Sequence, residues 1–344
     1  MSKYLKHTYL KHPLMKVEDF LKLIYQAEYG SGHLSRAADV WALIDECACV
    51  QKYEVPLFEE ISDKMCRINL GACQKQSIGM QTVSAVVAKS AKSDGSLENL
   101  TKRCDEFLQL VQEKFIHLAY YATKNKVVEY LKQPYHGRHS PSYRQNYDPH
   151  YRVALTEHAQ LLPLLSEIDR FCEKNLVCFV AIDGNACSGK STVARRLQEY
   201  YPDSCIIHCD DFFLPKEKRS QERLDEIAGN VHYERLEDVL KKAKINQPFV
   251  YERYDCSSDT YQKVAFTPKR LVIVEGTYAL RENLKDFYDV KCRLTIKKDT
   301  QQARLVARNP MLMKQFNDVW LPQEERYFQN YKFENTLLIS MDKL

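Results

Sequence analysis

Eight consecutive residues, Gly184 to Ser191, read G-N-A-C-S-G-K-S and satisfy the spacing G-x-x-x-x-G-K-S. The spacing has a physical basis: consecutive backbone N–H groups at a helix start face a polyphosphate, and a side chain at Gly184 or Gly189 would obstruct that approach. On this reading Gly184, Asn185, Ala186, Cys187, Ser188 and Gly189, with Lys190, Ser191 and Thr192, form a site for a nucleoside triphosphate such as ATP. Lys190 neutralises β/γ oxygens, and Ser191 gives a hydroxyl to Mg²⁺, an ion that keeps most of its waters and takes few protein ligands. Carboxylates accompany the loop. Asp210 and Asp211 follow the run SCIIHC, and Glu275 ends RLVIVE just before Gly276. Transfer of a phosphoryl group requires alignment with an incoming hydroxyl, neutralised charge and an acceptor for the hydroxyl proton. Asp210 is the candidate base. Glu275 would hold Mg²⁺ directly or through water beside Ser191, and Asp211 fits a turn cap. Arg304 and Arg308, at i and i+4 in TQQARLVARNP, share a helix face that could close over the nucleotide as a lid, although a solvated basic face explains the spacing nearly as well. Arg195 and Arg196 read as surface residues.

The elements that must position these groups follow an α/β pattern. Val177 to Ile182 is an apolar run, as expected of a strand buried on both faces of a parallel sheet, and STVARRLQEYY after the loop has helical composition. Further strands are expected at 204–209, 270–275, 290–297 and 336–340, with a helix in HAQLLPLLSEIDRFCEK before the first. Acids gathered at the carboxyl ends of parallel strands lie where open α/β sheets place their ligands. The fold class is therefore α/β from about residue 159 to 344, a nucleotide-binding parallel sheet flanked by helices.

Residues 1 to 158 read instead as a mainly α-helical domain. Helical spacing runs through Val17–Gly30, AADVWALIDECACVQKY, MQTVSAVVAKSA, LENLTKRCDEFLQLVQEKFIHLAYYA and VVEYLKQ, with DGS at 94–96 as a break, so five or six helices are expected. His33, among loop residues, reads as a surface or capping histidine ahead of a ligand-binding one. The stretch Pro134–Arg152 interleaves Tyr135, Tyr143, Tyr147 and Tyr151 with Arg138, Arg144 and Arg152 and adds His136, His139 and His150. Aromatics between arginines can stack bases and hold phosphates. Three prolines, a glycine and no apolar period favour an interdomain linker packed on the second half, and metal ligation by the histidines is the weakest of the three readings.

At 344 residues two domains are expected. The 50 Lys+Arg against 46 Asp+Glu leave +4, too small a surplus to imply a nucleic-acid or membrane partner. The twelve cysteines lack zinc spacing, and one lies inside the phosphate loop, which fits a reduced cytoplasm best. The N-terminus has no signal-peptide core, and no window approaches 18 uncharged apolar residues, so no membrane partner is expected. No sequence signal bears on oligomeric state.

IDGNACSGKST, HCDDFFLP, YERYDCSSD, VEGTYAL and the Arg304/Arg308 pair, in this order, resemble the uridine kinase, phosphoribulokinase and nicotinamide riboside kinase family of P-loop kinases over roughly residues 175 to 340. The resemblance implies a P-loop NTPase fold, ATP and Mg²⁺, Asp210 as general base, Lys190 and Ser191 in the phosphate loop, Glu275 as the Walker-B-like acid, and Arg304 and Arg308 in the lid. It also implies a small-molecule acceptor held by Asp211, Phe213, His232, Tyr254 and Asp255. HCDDFFLP is closest to the nicotinamide riboside kinase form. There is one departure: where uridine kinases carry F-D-H-P, this chain has Asn230-Val231-His232-Tyr233, a histidine in place of the aspartate that binds the ribose hydroxyls. An imidazole bonds a diol without acting as a bidentate acceptor. The first half resembles an uncharacterised helical segment that precedes kinases of this type. The implied activity is transfer of the γ-phosphate to a hydroxyl of a nucleoside or similar metabolite. Alternatives are an RNA-directed kinase using the 134–152 stretch and a non-catalytic nucleotide-gated binding protein.

Overall fold

The computed structural model describes residues 1–31, 38–91 and 95–342; His33 and Asp94 of the expectations above lie outside them. The chain divides into two compact units, Met1–Leu162 and Pro163–Leu344. Among the described residues no helix is long and apolar enough to cross a membrane.

The first unit is helical with a small sheet. Val17–Tyr29 forms as its apolar spacing predicts and ends at Gly30, whose φ of 61° suits glycine. The long window from 97 does not stay one helix. It breaks between Leu97–Gln112 and Tyr120–Lys132, with Lys114 at φ 60°. These helices and Ser2–Lys11 share a core in which Phe20 stacks on Phe107 at 4.8 Å. More helices are present than the five or six expected, Pro141–Tyr147 and Thr156–Ala159 among them. The three strands β1 (Phe58–Glu60), β2 (Met65–Asn69) and β3 (Tyr151–Leu155) were not expected; they form an antiparallel sheet in the order β1-β2-β3. The 134–152 stretch is accordingly no interdomain linker. It builds the helix Pro141–Tyr147 and enters β3, and Tyr143 is 2% exposed within the first unit. The linker reading failed because pairing with β2, more than 80 residues upstream, is non-local and leaves no periodicity in the stretch.

The second unit contains β4 (Cys178–Gly184), β5 (Ser204–His208), β6 (Phe249–Asp255), β7 (Thr260–Phe266), β8 (Leu271–Glu275), β9 (Val290–Thr295) and β10 (Leu337–Ser340). Five of them form a parallel sheet in the order β10-β9-β4-β8-β5. β4 and β8 are buried along their whole length, as their apolar sequences require. β6 and β7 pair separately as an antiparallel hairpin. In the parallel register Ile182 and His208 both stand opposite Glu275. The carboxyl ends of β4, β8 and β5 therefore open side by side, and three distant segments converge there.

Candidate active site

The phosphate loop leaves β4 at Gly184 and enters the helix Lys190–Tyr200. Two glycines are sterically required. A Cβ on Gly184 (φ 151°) would lie 2.5 Å from the Leu294 carbonyl oxygen and 2.8 Å from Ser188 Oγ, and Gly189, at φ 93°, is the N-cap. Because Gly189 offers no side chain, the first-turn amides of the helix have no side-chain cap. Lys190 Nζ donates to the carbonyls of Gly184 and Asn185, both at 2.9 Å, and to Thr277 Oγ1 at 3.0 Å. Gln301 Nε2 holds the Ala186 carbonyl at 3.1 Å, while Thr192 begins the body of the helix.

Ser191 and Glu275 meet as expected. The hydroxyl donates to both carboxylate oxygens, at 3.1 and 3.2 Å, and His208 Nδ1 lies 2.6 Å from one of them. Burial works against ionisation of Glu275, yet the hydrogen bond from His208 and the charges of His208 and Lys190 hold its carboxyl below the usual range. Two oxygen donors brought together beside a helix start without a side-chain cap suit a magnesium nucleotide.

Asp210 and Asp211 lie on a single 3₁₀ turn, Cys209–Phe212, at the end of β5. The side chain of Asp210 is exposed. Crowding by protein raises its pKa, opposed by the charge of Lys190 and, further down, of His208 and Arg308. Asp211 accepts the Tyr251 hydroxyl at 3.0 Å. Phe213 bridges to Val231, and the backbone N–H of His232 donates to Phe212 at 2.6 Å, so Phe213 and His232 come together. His232 Nδ1 is 3.1 Å from Glu234, and burial lowers the pKa of the ring. Tyr254 is 3% exposed and donates to Asp259 across the hairpin tip, whereas Asp255 accepts from Ser257 N and Oγ at 2.8 and 2.6 Å. Burial raises the thiol of Cys256 at this tip, opposed by the charge of Arg219 and aided by that of Asp210.

The arginine pair separates. On the helix Lys298–Arg308, Arg304 donates to the carbonyls of Cys187 at 3.2 Å and Met341 at 2.9 Å, which fixes the phosphate loop, whereas Arg308, the last residue of the helix, is exposed.

Sequence reasoning missed three supports. Asp183, fully buried, accepts from the amides of Gly184, Tyr278 and Leu280 and from the Tyr327 hydroxyl at 2.6, 3.1, 2.9 and 2.6 Å. Glu324 accepts from the Ala186 amide at 2.9 Å, and His208 steadies Glu275. An acid closing a wholly apolar strand was the available signal for Asp183. Glu324, 138 residues from its partner, left none.

No family model matches the chain. It is 26% identical over 182 residues to the uridine kinase of Staphylococcus epidermidis, covering 48% of this chain and 88% of that one. With the uridine kinase of Clostridium novyi it shares 29% over 145 residues, 38% of this chain and 67% of the relative. Among solved structures, a possible uridine kinase from Bacillus stearothermophilus is 20% identical, covers 51% of this chain and 98% of its own, and superimposes with a TM-score of 0.38. A D-glycerate 3-kinase from Cryptococcus neoformans gives 15%, 52% and 93%, with a TM-score of 0.41. Glycine loop, parallel sheet and sequence relatives agree: the chain carries a uridine kinase-like P-loop kinase domain, an ATP-dependent phosphotransferase acting on an alcohol group.

Proposed function

We propose that this domain moves the γ-phosphoryl group of ATP to a hydroxyl of a sugar-bearing small metabolite, a nucleoside or a near relative of one. The observation that carries the reading is the position of Asp210, solvent-accessible and close enough to Lys190 and Glu275 for their charges to shift its pKa. A carboxylate there can accept the proton of an incoming hydroxyl while Lys190 balances the phosphate charge. Its raised pKa makes it a stronger base than a solvated aspartate.

The Gly184 amide is taken by Asp183, the Ala186 amide by Glu324 and the Ser188 amide by the Asn185 carbonyl, so the remaining loop amides up to Thr192 would hold the phosphates. Ser191 and Glu275 would hold Mg²⁺, which neutralises charge on the β- and γ-oxygens when bound. Arg308, exposed and near enough for its charge to lower the pKa of Asp210, would supply a cation as the lid helix closes, and Arg304 keeps that helix joined to the loop through Cys187. On the acceptor side, Asp211, Phe213, His232 and the hairpin tip at Tyr254 and Asp255 would form the wall. The sugar reading is supported by the names of the sequence relatives, which are uridine kinases. His232 qualifies it. Burial keeps the imidazole neutral near pH 7, so it offers a ribose one directional hydrogen bond where a carboxylate would grip two hydroxyls. A nucleoside whose base contributes more of the binding is then favoured over free ribose.

The test is product identification by mass spectrometry after incubation with Mg-ATP and a panel of nucleosides, nicotinamide riboside, free sugars, pantothenate and short RNA. The expected result is ADP with a monophosphate ester of one nucleoside-like acceptor. Phosphorylation of pantothenate or RNA alone would overturn the acceptor class.

A further inference from the structure

The 134–152 stretch, which the kinase reading leaves unused, folds over a cleft within the unit Met1–Leu162. The cleft encloses about 240 Å³. That is several times the ~30 Å³ share of one water and just short of the roughly 300 Å³ at which pockets for drug-sized ligands begin. Its wall combines the rings of Tyr143, Tyr147 and Tyr151 with the cations Lys11, Lys52 and Arg67.

Arg67 is the unusual member. It sits on β2, the central strand of the small sheet, between the buried apolar residues Cys66 and Ile68, and is 1% exposed. Nε and Nη2 both donate to Gln26 Oε1, at 3.0 and 2.8 Å, and the guanidinium lies 4.5 Å from the Tyr151 ring centre. No carboxylate is within ion-pair distance of it among the described residues. Burial opposes its charge, and the fields of Tyr151, Tyr143 and Glu59 support it without an ion-pair contact; a buried cation that touches no counter-ion is costly.

The nearby acids are committed elsewhere. Asp19 accepts from Ser140 N, Ser140 Oγ and Lys16 N and sits 3.0 Å from His139 Nδ1. Glu59, also in the cleft wall, pairs with Lys11 at 3.1 Å and feels the charge of Arg67 without touching it, and Asp148 takes Gln51 N at 2.9 Å and His150 at 3.0 Å. Lys52 donates to a neutral oxygen, the Asn146 carbonyl, at 2.7 Å. Two of the three wall cations, Arg67 and Lys52, therefore have no carboxylate partner. The same positive excess acts on Lys22, 9% exposed: burial, with the charge of Arg67 added, lowers its ammonium to about 8.

We propose that this cleft binds a small organic anion, with a carboxylate or phosphate group on the Arg67 side and a planar apolar part against the Tyr143 and Tyr147 rings. The site is separate from the phosphate loop and gives the first unit a ligand of its own.

Isothermal titration of the full-length protein with benzoate and with phenyl phosphate tests this and distinguishes the two oxyanions. One probe is expected to bind with a Kd of about 1 mM or tighter. That binding should persist in Lys190→Ala and weaken about tenfold in Arg67→Gln. Lys52→Gln, on an exposed side chain, decides the matter if Arg67→Gln does not fold; it should weaken binding by roughly threefold, and less so at high salt. No binding of either probe at ~10 mM, binding unchanged in both cleft variants, or binding abolished by Lys190→Ala would each overturn the proposal.

Discussion

Ser191 and Glu275 meet across the carboxyl edge of the sheet, the hydroxyl 3.1 and 3.2 Å from the two carboxylate oxygens, although 84 residues separate them. The parallel pairing of β4 with β8 makes that meeting possible, because it ends both strands at the same level. Glu275→Gln keeps the shape and removes the charge. It is expected to raise the Mg²⁺ concentration for half-maximal activity by tenfold or more, and His208→Ala, which frees the carboxylate, by roughly tenfold. A magnesium titration of the initial rate at saturating ATP checks both.

Tyr327 is fully buried and donates to Asp183 at 2.6 Å, where burial pushes the carboxyl above its usual range against the pull of its four donors. Tyr327→Phe deletes one donor to a charged group at nearly constant volume and should cost about 1.5–3 kcal/mol. Asp183→Ala should cost more, since it leaves three loop amides without their acceptor. Urea unfolding of the two variants against the parent measures the order and size of these losses.

Much of the site was legible because its chemistry is local. The glycine loop is one contiguous octet, and the runs before Asp183, Asp210 and Gly276 are apolar enough to be strands without knowledge of their partners. The supports were not legible for the opposite reason. Glu324 reaches Ala186 only through the packing of the helix Leu321–Asn330, and the separation of Arg304 from Arg308 depends on where the Cys187 and Met341 carbonyls fall. In the first unit, β2 hides because a central strand shows no alternation, and β3 hides behind the prolines and histidines that precede it. The β6–β7 hairpin hides because neither strand alternates in burial.

His139, 8% exposed, has Nδ1 3.0 Å from Asp19 Oδ1 and Nε2 2.6 Å from the Tyr151 hydroxyl. Burial, against the hydrogen bond of Asp19, lowers its pKa from 6.5 to about 4. The folded ring is thus neutral at pH 7, donating Nδ1–H to Asp19 and accepting from Tyr151. The folded value lies below the unfolded one, so the unfolded chain takes up the proton first. The contribution of the ring is complete above pH 6.5, declines as pH falls towards about 4 and changes no further below that. The slope approaches ~1.4 kcal/mol per pH unit. Asp19, held below its ordinary 3.8, loses its contribution only at lower pH. His139→Gln should be less stable at pH 7.5 and show a shallower loss between pH 6.5 and 4.5, read from urea midpoints across that range.

The central claim is that Asp210 accepts the proton in phosphoryl transfer. It is tested most directly by measuring, on the same preparations, ATP binding by titration and ADP formation with the best acceptor for the parent and Asp210→Asn. The account predicts ATP affinity within about twofold of the parent and turnover reduced by roughly 10²–10⁴-fold. Turnover retained within about tenfold in Asp210→Asn, with ATP bound normally, would contradict it and move the proton acceptor to another group.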